Sequence, residues 1–198
     1  MSSLILASAS RHRAKILDDA GLAFAQIPSE LDERSIEAPL DKANVAAEER
    51  AQILAQAKAL NVSESHTDHL VIGSDQILSF EGEVLHKCEN MEQARRRLLN
   101  LSGKTHQLQS AVALARNGEI VWHHVTTCDM FVRRLSPEFI GRYLSDAGDG
   151  VLSSVGAYQI EGPGIQLFDS VEGDMFSIIG LPLLPLLQKL RELEEIDG

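Results

Sequence analysis

The sequence predicts an α/β fold, mixed α+β in detail, in which a twisted mixed sheet is flanked by helices. Three observations predict it. Apolar strand-like runs and capped helix-periodic segments are mixed along the 198 residues. Residues 105–134 read as one long antiparallel hairpin around Asn117-Gly118, which argues against a purely parallel doubly wound sheet. No internal repeat and no linker interrupts the chain, so its length makes one domain, or one core with two lobes.

Leu4 to Ala7 reads as a short buried strand. Ser10 then caps a helix running to Gly21 on the apolar stripe Ile16, Leu17 and Ala20. A strand, then Ser8 and Ser10, then a helix N-terminus with Arg11 and Arg13 is an anion-site pattern; it equally fits a capped surface helix with solvated arginines. Phe24 to Ile27 is a second strand, the acidic Glu30–Arg34 segment reads as solvated loop, and residues 35–42 also read as loop. Val45 to Leu60 is helical, with Ile53, Ala57 and Leu60 as its stripe and Lys58 one residue off it. Asn61 to His69 is polar and loop-like, and its His66 and His69 have no supporting metal ligands nearby.

Leu70-Val71-Ile72-Gly73-Ser74-Asp75-Gln76-Ile77-Leu78 is apolar on both sides of its polar centre, so both flanks read as buried strand. A carboxylate there costs several kcal/mol, on the order of a desolvated ion, unless a cation or donor pairs with it. Asp75 therefore needs a partner such as a metal ion or a lysine, or else caps a turn. Glu81-Gly82 makes a hairpin turn, followed by Lys87. Asn90 with Gln93 resembles a capping box for a helix to Leu101, on which Arg95–Arg97 reads as a solvated face. Thr105–Arg116 alternates as a strand, and the return strand covers Ile120 to Arg133. His123 and His124 within it point to opposite faces and cannot easily share a metal. Ser136-Pro137-Glu138 starts a helix that ends near Gly148. Glycine-rich residues 156–164 follow, then a short strand at Ile165–Phe168, a turn at 171–174 and a leucine-rich last helix to about Leu193.

A net charge of −11 opposes non-specific nucleic-acid binding while allowing a phosphorylated ligand in a locally basic cleft. Two cysteines, Cys88 and Cys128, form neither a disulfide framework nor a metal spacing and point to a reducing compartment, read here as cytoplasmic. No apolar run approaches a membrane span, and the N-terminus lacks the charge order of a signal peptide.

The order and spacing of seven segments resemble the Maf-like nucleoside triphosphate pyrophosphatases over nearly the whole chain. They are Leu6–Ser10, Asp32-Glu33, Lys58, Gly73-Ser74-Asp75-Gln76, Ser102-Gly103-Lys104-Thr105-His106, Gly156-Ala157-Tyr158 and Ile179-Gly180-Leu181-Pro182. Arg11, His12, Cys88 and Ser177 depart from the family pattern, while Arg13, Glu33, Lys58, Asp75 and Lys87 keep it. The resemblance implies a single Maf-like domain over residues 1–198, a Maf/ITPase-like fold with two lobes around a central cleft, and cleavage of a nucleoside triphosphate to monophosphate and pyrophosphate. It implies a divalent cation, Mg²⁺ or Mn²⁺, held by Glu33 and Asp75 with substrate phosphate. Arg13, Lys58 and Lys87 would neutralise phosphate, with Ser8 and Ser10 supplying donors at the turn. Asp75 would orient and deprotonate the attacking water; free aspartate, with a pKa of about 3.9, is a weak base, so the cation's acidifying effect on water matters. Gln76 can offer a donor and an acceptor to the nucleotide, and Gln159, with Glu161, is a further candidate reader. Ser74-Asp75-Gln76 resembles the branch acting on 7-methyl-GTP. A dTTP/UTP pyrophosphatase and a non-catalytic nucleotide-sensing regulator of cell division remain alternatives. The expected partner is a nucleoside triphosphate, with no nucleic acid and no membrane, and a homodimer is allowed.

Overall fold

The computed structural model describes residues 4–197. Its elements are β1 (Leu4–Leu6), α1 (Arg11–Asp19), β2 (Phe24–Gln26), α2 (Glu33–Lys42), α3 (Ala47–Ser63), β3 (Leu70–Phe80), β4 (Glu83–Leu85), α4 (Met91–Leu101), β5 (Thr105–Arg116), β6 (Glu119–Val132), α5 (Pro137–Ala147), β7 (Phe168–Glu172), α6 (Met175–Ile179) and α7 (Leu183–Glu192). Two 3₁₀ segments, Gly148–Ser153 and Pro163–Leu167, lie between α5 and β7. The strands belong to one seven-stranded mixed sheet, as expected. The chain divides into two compact units. The first runs to Gln76 and adds Ser110–Thr126 and the chain from Met175 onward; the second is Ile77–Gln109 with Thr127–Asp174.

In the first unit β1 lies parallel to both β2 and β3, pairing Leu4 with Phe24 and with Leu70. Alternation along these strands sorts the core. Leu4, Leu6, Leu70 and Ile72 pack with Ile16 and Leu17 of α1 and Leu186 and Leu190 of α7. Ile5, Ala7 and Val71 pack with Val62 of α3. Helices therefore cover both faces of the strands, because successive side chains point opposite ways. The buried stripe of α3 is Ala51, Leu54, Ala55, Lys58, Ala59 and Val62, with Arg50 and Ser63 beside it, and not Ile53, Ala57 and Leu60. That corrects the expected stripe by one residue. Its small side chains let α3 approach β3 so closely that a Cβ on Gly73 would overlap the carbonyl oxygen of Ala55 and stand 2.7 Å from the amide nitrogen of Ala59.

Residues 35–42, expected as loop, form most of α2, with Pro39 inside it. None of its residues is buried, so no apolar stripe marked it in the sequence. Its far end is tied to α3 by the buried Arg50, which donates to the carbonyls of Val45 (2.8 Å) and Leu40 (3.0 Å) and pairs with Asp41. α3 also runs to Ser63, past the expected end at Leu60.

In the second unit β3 and β4 form the expected hairpin, pairing Leu78 with Leu85. Asn90 caps α4 by accepting from the Gln93 amide at 3.0 Å, while Gln93 returns a bond to the amide of Glu89. Ser136 caps α5 as predicted. Arg97 corrects the expected solvated arginine face: it donates to the carbonyls of Val155 (2.6 Å) and His86 (3.0 Å). The expected strand at Ile165–Phe168 is mostly 3₁₀ turn, because the strand begins only at Phe168, where β7 pairs antiparallel with β6. Glu172 and Val171, expected in a turn, belong to that strand.

Candidate active site

Period-two alternation places Asp75 on the face of β3 that Gly73 presents to α3. Close packing at Gly73 brings Lys58 over it. Lys58 and Asp75 are 8% and 7% exposed, and the Lys58 ammonium donates to Asp75 Oδ1 at 2.6 Å. The same ammonium lies 3.1 Å from Glu33 Oε1, which sits in the first turn of α2 and is half exposed. The costly buried acid thus has a lysine partner, and a turn-capping role is excluded. One cation bridges two carboxylates drawn from different elements.

The opposite face of β3 carries Ser74 and Gln76. Arg13 of α1 reaches this side: its Nη1 donates to the Ser74 carbonyl (2.8 Å) and to Ser8 Oγ (3.2 Å), and its Nε donates to the Gly180 carbonyl (2.8 Å). Three of its five N–H bonds are thereby committed, and among the described residues the two Nη2 protons have no partner. Burial pulls the Arg13 pKa down from its ordinary value, against the opposing pull of the Asp75 and Glu33 carboxylates. It stays a cation at any physiological pH.

Ser8 Oγ also accepts from the Ser10 amide at 3.2 Å, and Ser10 Oγ caps α1 by accepting from the Arg13 amide at 3.3 Å. Both serines therefore shape the turn. Gln76 is narrower than expected. Its amide nitrogen donates to Ser110 Oγ (2.9 Å) and to the carbonyls of Ile178 (3.0 Å) and Ser177 (3.1 Å). This network fixes which way the amide points and commits its nitrogen within the chain.

Two contributors were not singled out from sequence. The Ser74 hydroxyl is buried and donates to the carbonyls of Ala111 (2.8 Å) and Gly180 (3.0 Å). Gly180, at φ +128°, offers that carbonyl to Arg13 as well, and a Cβ there would come within 3.6 Å of Arg13 Nε. Its place in the Ile179–Pro182 segment was the only signal. Lys87 and Gln159 belong to the second unit. Lys87 is exposed. The Gln159 amide donates to the Gly150 carbonyl (3.2 Å) and Ser153 Oγ (3.4 Å).

Among the described residues, no group of three His, Cys, Asp or Glu side chains could hold a metal. His66 bonds the Val62 carbonyl through Nδ1 at 2.9 Å. The donor set at Glu33 and Asp75 is two hard carboxylates, one of them exposed, which fits a cation that brings its remaining ligands from phosphate and water. Cys88 and Cys128 are buried free thiols, and burial, with Asp174 nearby, pushes the Cys128 thiol up to about 11. No helix among the described residues is long and apolar enough to cross a membrane.

Relatives of this chain match it over nearly its whole length. The 7-methyl-GTP pyrophosphatase of Brucella abortus biovar 1 (strain 9-941) is 54% identical over 195 residues, which cover 98% of each chain. The protein of the same name from Mesorhizobium japonicum (strain LMG 29417 / CECT 9101 / MAFF 303099) is also 54% identical at the same coverage, and that of Rhizobium etli (strain ATCC 51251 / DSM 11541 / JCM 21823 / NBRC 15573 / CFN 42) is 51% identical. The family model described as Maf-like protein matches residues 3–193, and with these relatives it shows that the chain belongs to the Maf-like protein family.

Proposed function

We propose that the chain is a nucleoside triphosphate pyrophosphatase that converts 7-methyl-GTP to the monophosphate and pyrophosphate. The observation that carries this reading is the buried Asp75–Lys58 pair, joined by Glu33 on one side of β3 and backed by Arg13 on the other. The names of relatives at 54% identity support the choice of nucleotide.

Hydrolysis of a triphosphate is limited by the negative charge that repels the nucleophile. The two Nη2 protons of Arg13 and the Lys58 ammonium meet that charge. Asp75 accepts the proton of the attacking water as the α–β phosphoanhydride breaks. Glu33 and Asp75 would hold a divalent cation, which would neutralise phosphate and make water more acidic. The Gln76 carbonyl oxygen can accept only from a donor, which suits the N–H edge of a guanine. The two free buried cysteines support a reducing, cytoplasmic setting.

The test is pyrophosphate release over a panel containing 7-methyl-GTP, GTP, dTTP and UTP with Mg²⁺ or Mn²⁺. The highest kcat/KM is expected for 7-methyl-GTP. Preference for dTTP or UTP would move the substrate assignment, and binding without turnover on any would favour a sensor. Asp75→Asn is expected to keep nucleotide binding and lose at least about a hundredfold in release, the scale of a general base. Near-normal turnover would sink the role of Asp75.

A further inference from the structure

We propose that Lys58 stands in for the divalent cation between Glu33 and Asp75, so that a free cation is kept out and metal enters only together with the triphosphate. This inference rests on the reading of those two carboxylates as the metal-holding pair.

The geometry carries it. The Lys58 ammonium touches both carboxylates, at 3.1 and 2.6 Å, and so already fills the gap between them. It is not a surface lysine that drifted into contact. Its stem belongs to the buried stripe of α3, whose Ala55 and Ala59 are pressed on Gly73. The backbone therefore cannot carry the amine away, and only its flexible end can turn. A divalent ion and an ammonium cannot share that gap, because like charges repel strongly in a poorly solvated site.

Charge balance points the same way. Glu33 and Asp75 carry two negative charges, and Lys58 with Arg13 supplies two positive ones. A lone divalent ion would leave the cluster strongly positive. A triphosphate brings enough negative charge to accept both the ion and the displaced ammonium. Lys58 then exchanges carboxylate for phosphate as its partner, which costs little because it stays paired throughout. Metal and nucleotide binding become thermodynamically coupled, and the coupling is reciprocal.

The experiment is an Mn²⁺ titration of the nucleotide-free protein, followed by electron paramagnetic resonance of the free ion. Lys58→Met is expected to bind Mn²⁺ at least about tenfold more tightly than wild type, within the usual range of such couplings. Lys58→Arg should keep the weak binding, because the positive charge stays. Adding Glu33→Gln to Lys58→Met should abolish the gain. Mn²⁺ binding to Lys58→Met that is equal to or weaker than wild type overturns the proposal. Should Lys58→Met not fold, the wild-type chain still carries the test. Without nucleotide, Mn²⁺ should leave its Tm unchanged, whereas α,β-methylene GTP should make Mn²⁺ raise that Tm beyond the effect of the analogue alone. Tight Mn²⁺ binding to the nucleotide-free wild type overturns the idea. The titrations measure no turnover, so a failure of the pyrophosphatase assay leaves their result standing, and the reverse is also true.

Discussion

Asp75 is buried with a lysine at 2.6 Å, and Arg13 is held by three acceptors that all belong to its own chain. Both side chains are held in place before any ligand arrives, which is what a site that must stabilise developing charge requires. For Arg13 the held geometry has a consequence. Lysine has the charge but not the planar fork, so Arg13→Lys cannot make the bonds to Gly180 and Ser74 and also present two parallel donors. It is expected to weaken binding of α,β-methylene GTP by about 1.5–3 kcal/mol, roughly ten- to hundredfold, the value of hydrogen bonds to a charged group. Calorimetric titration reads this, with Tm as the control for folding. Unchanged affinity would show that the Nη2 protons do not meet the ligand. Gln76 shows how much a residue's type leaves open: its donor capacity is consumed by Ser110, Ser177 and Ile178, and only its acceptor end remains.

The element that decides the site is the crossing of α3 over β3. Lys58 and Asp75 are distant in sequence, and their meeting depends on how near the helix comes to the strand. Gly73 sets that distance. A methyl group there would overlap the Ala55 carbonyl and sit 2.8 Å from the Ala59 methyl. Gly73→Ala should therefore push α3 outward, costing about 1–3 kcal/mol, the usual range for overpacking, or more because the obstacle is backbone. A lower midpoint in urea and a loss of pyrophosphate release larger than the stability loss explains are the expected results. Unaltered stability would mean that α3 yields without cost. The helices with caps were legible: Ser10, Asn90 and Ser136 each accept from the amide three residues on. α2 was not, because it buries nothing, contains Pro39 and has no side-chain cap. Its formation depends on tertiary ties at Glu33, Asp41 and Leu40.

At the scale of the molecule, the second unit has its own buried polar centre. His106 Nε2 and the Tyr158 hydroxyl lie 2.6 Å apart, both buried, with the Tyr158 ring edge-on to Phe168. Among the described residues His106 Nδ1 has no partner. Burial, with the Arg97 charge adding, pulls the His106 pKa down to about 4 from 6.5, and burial first of all raises that of Tyr158. The unfolded chain therefore binds a proton that the folded chain refuses between those two values. Stability supported by neutral His106 is fully present above about pH 6.5 and is lost as pH falls toward 4, by roughly 3 kcal/mol over the window. Denaturant unfolding at pH 7 and pH 4.5 should show this loss in wild type and a shallower one in His106→Gln, which cannot take up the proton. Equal slopes would remove His106 from the acid sensitivity. The Ser102–His106 and Gly156–Tyr158 segments, matched to the family from sequence alone, meet at this bond.

What the sequence by itself determined is mostly local. Alternation marked the strands, Asn117 and Gly118 marked the hairpin through turn chemistry, and both do adopt positive φ, at 53° and 73°. The polar centre of β3 marked Asp75 as an acid in need of a partner, and the spacing of its motifs carried the family. Only the tertiary structure decided which partner Asp75 has, that Lys58 belongs to the buried stripe of α3, and that Gln76 faces its amide inward. Those outcomes depend on the distance between a helix and a strand and on backbone carbonyls from residues 177–180. Carbonyls are present at every position of every chain, so no side-chain pattern in the sequence could reveal which of them would face the site.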